Sequence, residues 1–406
     1  MHETLFQPMS IGALSIPNRF VRAGTAETMA TDDGRATPRL AALYGKLASH
    51  HVGLIFSGHM FVHPRGRGTL NQTGIHEDEV VAGLSTVTDA VHRNGGRIFA
   101  QLGHAGSQSK VVDDLLAPSI EANPLTGRRA VRPASEEEIE EAIAAFGSAA
   151  ERAVAAGFDG IHIHGANGYL ISSFTSPLMN RRVDGWGGGA SERGRFPAAV
   201  VAAVKAAVPA DFPVTMKLGF WDSPTGGLSL EEAVDRAVEL ARSGVHAIEV
   251  SSNLIAGAED SARRLVGVDQ RRALADLIFE RVPDEGPPEA YFLPFARALK
   301  EKSPDVVVIL VGGIRSLPVM SSLVASGVVD LLSMARPFIR QPDLVNKLAA
   351  GKVVSAACTS CNLCYERSPN YSLRCWRKPR YRLLVNAGLR VREAYRRRSW
   401  SSSDGA

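Results

Sequence analysis

Eight times along this chain a short apolar or β-branched run is followed by a longer amphipathic stretch, and few folds accommodate that rhythm. The candidate strands are residues 20–24, 53–57, 97–101, 160–164, 214–218, 247–251, 306–311 and 330–334. Helical patterns lie between them near 38–50, 79–94, 135–156, 191–208, 229–243, 290–303, 316–326 and 341–350. Ser135 ahead of Glu136-Glu137-Glu138, and Ser229 ahead of Glu231-Glu232, put a cap and first-turn acids where helices should start. Most of the strands are near-continuous apolar runs, as expected where both faces are buried. These units predict an α/β fold: a (β/α)8 TIM barrel in a single domain over residues 1–350. An open doubly wound sheet would want a Gly-x-Gly-x-x-Gly turn after an early strand, and none is present.

With 45% hydrophobic and 22% charged residues, the 406-residue chain can fill one large core. No apolar run approaches the ~18 residues that span a bilayer. The opening Met1-His2-Glu3-Thr4 lacks the basic-then-apolar order of a signal peptide, so a cytoplasmic location is expected. The net charge of +4 is uneven: residues 376–406 hold nine of the 46 basic and two of the 42 acidic side chains. Residues 381–406 are expected to form a basic, flexible tail. No array of stacking aromatics accompanies these charges, so neither nucleic acid nor membrane is an expected partner.

Functional signal comes from position. Thr25, Gly58, Gln101, His164 with Asn167 and Tyr169, Lys217, Ser251, Gly312-Gly313 and Ala335-Arg336 all fall where candidate strands end. In a barrel of this kind that rim carries the active site. Gly312-Gly313 after the seventh strand exposes backbone N–H groups, and Ala335-Arg336 after the eighth adds more N–H and a cation, together a phosphate site. The long loops 105–134 and 252–289 both follow strands and are expected to wall the same mouth.

Several separated motifs carry a family resemblance. They are Pro8-Met9-Ser10-Ile11-Gly12 through Asn18-Arg19, Gln101-Leu102-Gly103-His104-Ala105-Gly106, and His162-Ile163-His164-Gly165-Ala166-Asn167-Gly168-Tyr169-Leu170. To these add Asn180-Arg181-Arg182-Val183-Asp184-Gly185-Trp186-Gly187-Gly188 with Arg193, and Ser333-Met334-Ala335-Arg336-Pro337-Phe338. In this order they resemble the Old Yellow Enzyme family, the NADH:flavin oxidoreductases, over roughly residues 4–375. The resemblance implies FMN as cofactor and NAD(P)H as electron donor. Thr25 would lie near the flavin N5/O4 edge, with Gly58 and Gln101 holding the isoalloxazine. Lys217, where relatives often carry Arg, would place a cation near N1/O2. Gly312, Gly313, Ala335 and Arg336 would cradle the phosphate. His164 and Asn167 would bond a substrate carbonyl oxygen, and Tyr169 would protonate the α-carbon. His162, read as facing away from His164, is expected to be structural.

The only four cysteines, Cys358, Cys361, Cys364 and Cys375, are spaced C-x2-C-x2-C-x10-C, which makes 351–380 a metal or cluster segment. Four thiolates suit a [4Fe–4S] cluster or a structural Zn2+. The spacing is similar to that in the branch containing 2,4-dienoyl-CoA reductases and trimethylamine dehydrogenase, which favours iron–sulfur. No dinucleotide fingerprint follows the cysteines here. Electrons would reach the flavin from NAD(P)H at the barrel mouth or, through the cluster, from a separate electron-transfer protein. The expected activity is hydride transfer from reduced flavin to a conjugated enone, enal or enoyl thioester. The alternative is an amine-type dehydrogenase passing electrons through the cluster to a partner protein. The sequence leaves open the substrate, the choice of NADH or NADPH, and whether the chain forms a homo-oligomer.

Overall fold

The computed structural model describes residues 2–123, 127–222, 225–254, 289–360, 364 and 372–376. Eight parallel strands close on themselves: β1 (Phe20–Arg22), β2 (Leu54–Phe56), β3 (Ile98–Gly103), β4 (Gly160–Gly165), β5 (Val214–Gly219), β6 (Ala247–Ser251), β7 (Val307–Val311) and β8 (Leu331–Met334). Each pairs with the next, and β8 returns to β1 with Ser333 opposite Val21. The fold is therefore the expected (β/α)8 barrel, with all eight strands where the apolar runs placed them. Nearly every strand residue is buried, which is why those runs lack a period of two.

The outer helices are α1 (Pro38–Ala48), α2 (Val81–His92), α3 (Glu136–Ala155), α4 (Ala190–Ala206), α5 (Leu230–Arg242), α6 (Leu293–Lys302), α7 (Leu317–Ala325) and α8 (Leu344–Ala349). The start of α3 is a complete capping box: Ser135 Oγ accepts from Glu138 N, and the Glu138 carboxylate accepts from Ser135 N. At the start of α5 Ser229 Oγ accepts from Glu232 N at 3.2 Å. A further short helix, Leu170–Thr175, follows β4 and is wholly buried. Among the described residues no helix is long and apolar enough to cross a membrane.

One element was not anticipated. Met9–Ile11 and Leu14–Ile16 form an antiparallel hairpin, turned at Gly12 with φ +56°. A side chain at Gly12 would strain that backbone and meet the His246 ring at 2.8 Å. Ile11 and Ile16 pack with Val21, Leu54, Phe56, Phe99, Ala247, Ile309 and Leu331, most of them near strand starts. The hairpin thus plugs the N-terminal end of the barrel with apolar side chains, leaving the polar residues to the opposite rim.

The plug is separable from the rim. Ile16→Ala, at a fully buried position, should cost about 2–5 kcal/mol, read as a lower denaturant midpoint. The absorption spectrum of any bound chromophore should be unchanged.

Candidate active site

Three rings gather at the C-terminal end of β4. His164 is the penultimate residue of that strand, and the chain then turns through Asn167 and Gly168 at φ +61° and +75°. Asn tolerates the left-handed region better than most residues, and a side chain at Gly168 would strike the Gln108 amide at 2.7 Å. The turn brings Tyr169 back so that its ring centre lies 4.6 Å from that of His164. The third ring, His59, follows β2: its Nε2 is 3.0 Å from the Tyr169 hydroxyl, and its centre is 5.9 Å from His164. Gly103 passes between the Cβ atoms of His59 and His164, 3.5 and 3.6 Å from where its own Cβ would stand. Asn167 is close by, but its side-chain nitrogen is held by Ser252 Oγ at 3.2 Å and Ser251 Oγ at 3.4 Å.

Burial sets the charge state of these rings. Desolvation lowers His59 to about 4 and His164 well below the ordinary histidine range, where nearby His59, Lys217 and His162 push it the same way. Both imidazoles are therefore neutral at pH 7. His164 Nδ1 accepts a long bond from Ala166 N at 3.4 Å, which leaves Nε2 as an N–H donor.

Beneath them lies a charged group sealed in the barrel. Lys217 Nζ on β5 is 2.8 Å from the fully buried Glu249 carboxylate on β6, directly opposite in register. His162 Nε2 is 3.1 Å from the same carboxylate, and Ser333 Oγ donates to it at 2.5 Å. Burial alone would raise Glu249, but Lys217 and His162 hold its carboxyl well below the usual carboxylate range. His162 does not face away from His164: residues two apart on a strand share a face, and both rings stand near Lys217. It remains structural, stacked 3.7 Å from Phe56 and bonded to Glu249.

Thr25, Gly58 and Gln101 form a second group at the ends of β1, β2 and β3. The Gln101 amide fills the space where a Gly24 Cβ would stand, at 2.3–2.5 Å. Its backbone N donates to Ser57 Oγ at 2.8 Å, while its side-chain Nε2 is buried with no partner among the described residues. Gly58 N donates to Tyr44 Oη at 2.7 Å, Tyr44 bonds Glu27, and Glu27 pairs with Arg22 at 2.8 Å. A Cβ on Gly58 would fall 1.8 Å from Glu27 Oε2, so this buried scaffold fixes Gly58 as glycine.

The third group closes the ring. Gly312 and Gly313 follow β7 at φ +120° and +72°. Ala335 precedes the short helix Arg336–Arg340 after β8. Tyr291 stacks over Gly312, where an added Cβ would lie 2.7 Å from its ring, and its hydroxyl hydrogen-bonds Arg336. Glu289 accepts from Arg315 N at 2.6 Å and Ser316 N at 2.9 Å.

Of the four cysteines, Cys358, Cys364 and Cys375 are half-buried, while Cys361 and the 381–406 tail lie outside the described residues. Arg340 Nη1 is 3.5 Å from Cys375 Sγ, and Leu373 N donates to Glu27 O at 2.8 Å. Residues 372–376 therefore dock beside the Thr25–Gly58 group. Among the described residues no three His, Cys, Asp or Glu side chains gather as a metal shell. Of loop 252–289 only 252–254 and 289 are described; loop 105–134 reaches the site through Asn123, whose Nδ2 donates to Gly168 O at 3.3 Å. Sequence reasoning missed His59, Glu249 and Tyr291. The signals were present: a histidine next to Gly58, and a lone acid inside an apolar strand.

Buried neutral histidines imply a pH response. His59 and His104 stand at about 4 and about 3, against 6.5 ordinarily. Below about pH 6.5 the unfolded chain takes protons that the folded rings refuse. Their contribution is thus whole above 6.5 and is lost as pH falls, by about 1.4 kcal/mol per unit per ring. Urea midpoints should drop from pH 7 to 5, and His104→Gln should flatten the slope; an unaltered slope would count against it.

The profile of the NADH:flavin oxidoreductase / NADH oxidase family matches residues 4–354. An NADH oxidase of Thermoanaerobacter brockii is 34% identical over 368 residues, covering 88% of this chain and 53% of that protein. A 2-naphthoyl-CoA reductase with 2-naphthoyl-CoA superposes with a TM-score of 0.81 at 25% identity, over 94% of this chain and 57% of the other. The chain thus spans about half the length of both. An old yellow enzyme homologue from Zymomonas mobilis gives 0.70 at 26% identity, over 91% of this chain and 99% of its own. With the motifs on the rim of a closed barrel and the match running almost from end to end of it, the chain belongs to the NADH:flavin oxidoreductase / NADH oxidase family.

Proposed function

We propose that this oxidoreductase is FMN-dependent and reduces electron-poor conjugated alkenes: enones, enals or enoyl thioesters. The observation that carries the reading is the convergence of His164, a neutral N–H donor, with the Tyr169 hydroxyl in one buried cluster. The rim fits FMN. Gln101 offers a buried amide, unpartnered among the described residues, to a pyrimidine edge, Gly58 is kept bare beside it, and Gly312, Gly313, Ala335 and Arg336 offer N–H groups and a cation for phosphate. Once bound, FMN would relay a hydride from NAD(P)H to the substrate.

The residues do the rest. His164 Nε2–H, joined by the Asn167 amide once it leaves Ser252, holds the carbonyl oxygen on which negative charge develops. Tyr169 delivers its hydroxyl proton to the α-carbon. Thr25 lies at the rim beside Gln101 to tune the flavin edge, and Lys217 directs a cation towards the pyrimidine. The 2-naphthoyl-CoA reductase supports a thioester among the substrates, by its name. The neutral, donating His164 suits a carbonyl oxygen better than an amine cation, which argues against the amine-dehydrogenase alternative.

Barrel 1–350, cysteine segment 351–380 and basic tail 381–406 remain the proposed division. The four thiols suit a [4Fe–4S] cluster, with Zn2+ the competing occupant, in a cytoplasmic setting where thiols stay reduced. Through such a cluster a separate electron-transfer protein is a second route for electrons.

Anaerobically purified protein should show a flavin spectrum and carry iron and sulfide near four per chain; zinc without sulfide would make the segment a structural clip. Under NAD(P)H it should reduce cyclohexenone, and Tyr169→Phe should slow that step by about 100-fold or more. Flavin reduction by an amine, with every enone inert, would sink the assignment.

A further inference from the structure

His59 belongs to no part of the mechanism so far, yet it is the most deliberately placed ring in the site. Its backbone is fixed: Gln72 Nε2 donates to His59 O at 2.9 Å, and Met60–Phe61 pairs with Leu102 and Gly103 on β3. Its side chain is buried, and Nε2 reaches the Tyr169 hydroxyl at 3.0 Å with the rings edge-on, 5.0 Å between centres. The two residues are 110 apart in sequence, so the contact is a product of barrel closure.

A neutral imidazole beside a phenol can pair in two ways. If the phenol donates, its proton points at His59 and away from any substrate. If Nε2–H donates, the phenol oxygen is the acceptor and its own proton is not directed at His59. We infer that His59 is a positioning residue for the proton-transfer step: its Nε2–H donates to Tyr169 Oη, aims the hydroxyl proton at the substrate α-carbon, and stabilises the tyrosinate left behind. The proton passes from Tyr169 Oη to carbon, and water restores it to the tyrosinate; His59 gives a hydrogen bond and keeps its proton. Desolvation supports this, since a ring held to about 4 stays neutral through the working range. Among the described residues, the other titratable group facing His59 is His164, itself neutral, with Lys217 and His162 behind it. Burial holds both His164 and His162 below the ordinary range, so neither takes up charge beside the pair near neutrality.

This inference rests on Tyr169 as the acid, so the experiment carries Tyr169→Phe as its reference. Reduced enzyme is mixed with cyclohexenone across a pH series, and flavin reduction by NAD(P)H is followed separately as an internal standard. His59→Leu should slow reoxidation by the enone about tenfold, the worth of one buried hydrogen bond, with little change in flavin reduction. Its basic limb, where the tyrosine ionises, should move up by about one pH unit, because the phenolate loses a donor. His59→Gln, whose amide can donate from nearly the same place, should recover most of the rate and bring the limb back. In Tyr169→Phe, adding His59→Leu should cost nothing more.

A readout independent of turnover is the histidine tautomer. Nitrogen-15 NMR of the wild-type protein, with His59→Gln to assign the resonance, should show the proton on Nε2. A proton on Nδ1 overturns the inference, as does a His59→Leu profile unshifted in rate and pH, or a glutamine variant no better than leucine. If His59→Leu fails to fold, the glutamine profile and the tautomer decide alone. If Tyr169→Phe reoxidises at the normal rate, it is the choice of acid that fails, and His59 falls with it.

Discussion

The barrel is organised around one buried carboxylate. Glu249 is completely enclosed, and a charge in that position is tolerated only when paired and hydrogen-bonded on every side. Its partners come from three other strands: Lys217 on β5, His162 on β4 and Ser333 on β8. Removing any one leaves charge or lone pairs unmet in a medium where water cannot help. The network therefore ties four of the eight strands together from the inside, in addition to their backbone ladders.

That arrangement also shapes the chemistry above it. Lys217 would be a free cation near the proposed flavin, but its ammonium is already shared with Glu249, so the field it projects is that of an ion pair rather than a lone charge. The nearby His164 is kept neutral partly by that ammonium. A neutral donor and a half-compensated cation are both weaker than their free counterparts, yet neither needs to be desolvated when a substrate arrives. Preorganisation of this kind is what a site built to stabilise developing negative charge requires.

Much of this was legible in the sequence, and the limits of legibility are physical. The eight strands could be placed because burial on both faces leaves unbroken apolar runs, and α3 and α5 because Ser135 and Ser229 carry their caps. The rim residues were found because a barrel confines its loops to two ends. The Met9–Ile16 hairpin was missed because three-residue strands carry too little pattern to distinguish them from loop. His59 and Glu249 were missed for another reason: their meaning depends on partners tens of residues away, across a closed barrel. Lys217 and Glu249 stand side by side only because β5 and β6 pair at that register. The reading of His162 as facing away was an error of period, since its two-residue spacing from His164 already placed them on one face.

The two ends of the barrel show why the division of labour holds. At the N-terminal end the hairpin supplies Ile11 and Ile16 to a buried apolar cluster with Val21, Leu54, Phe56, Phe99, Ala247, Ile309 and Leu331. At the C-terminal end histidines, amides and a tyrosine occupy a similar cross-section, with Gln101 Nε2 and His104 Nε2 buried and without a partner among the described residues. Such orphans are costly in a folded protein unless a ligand or water completes them. The apolar end carries stability that the polar end lacks, and the unmet donors of the polar end are what a bound molecule would satisfy. A substitution that improved packing at the rim would therefore be expected to stabilise the fold at the expense of the proposed site, because the unmet donors there are the proposed binding surface.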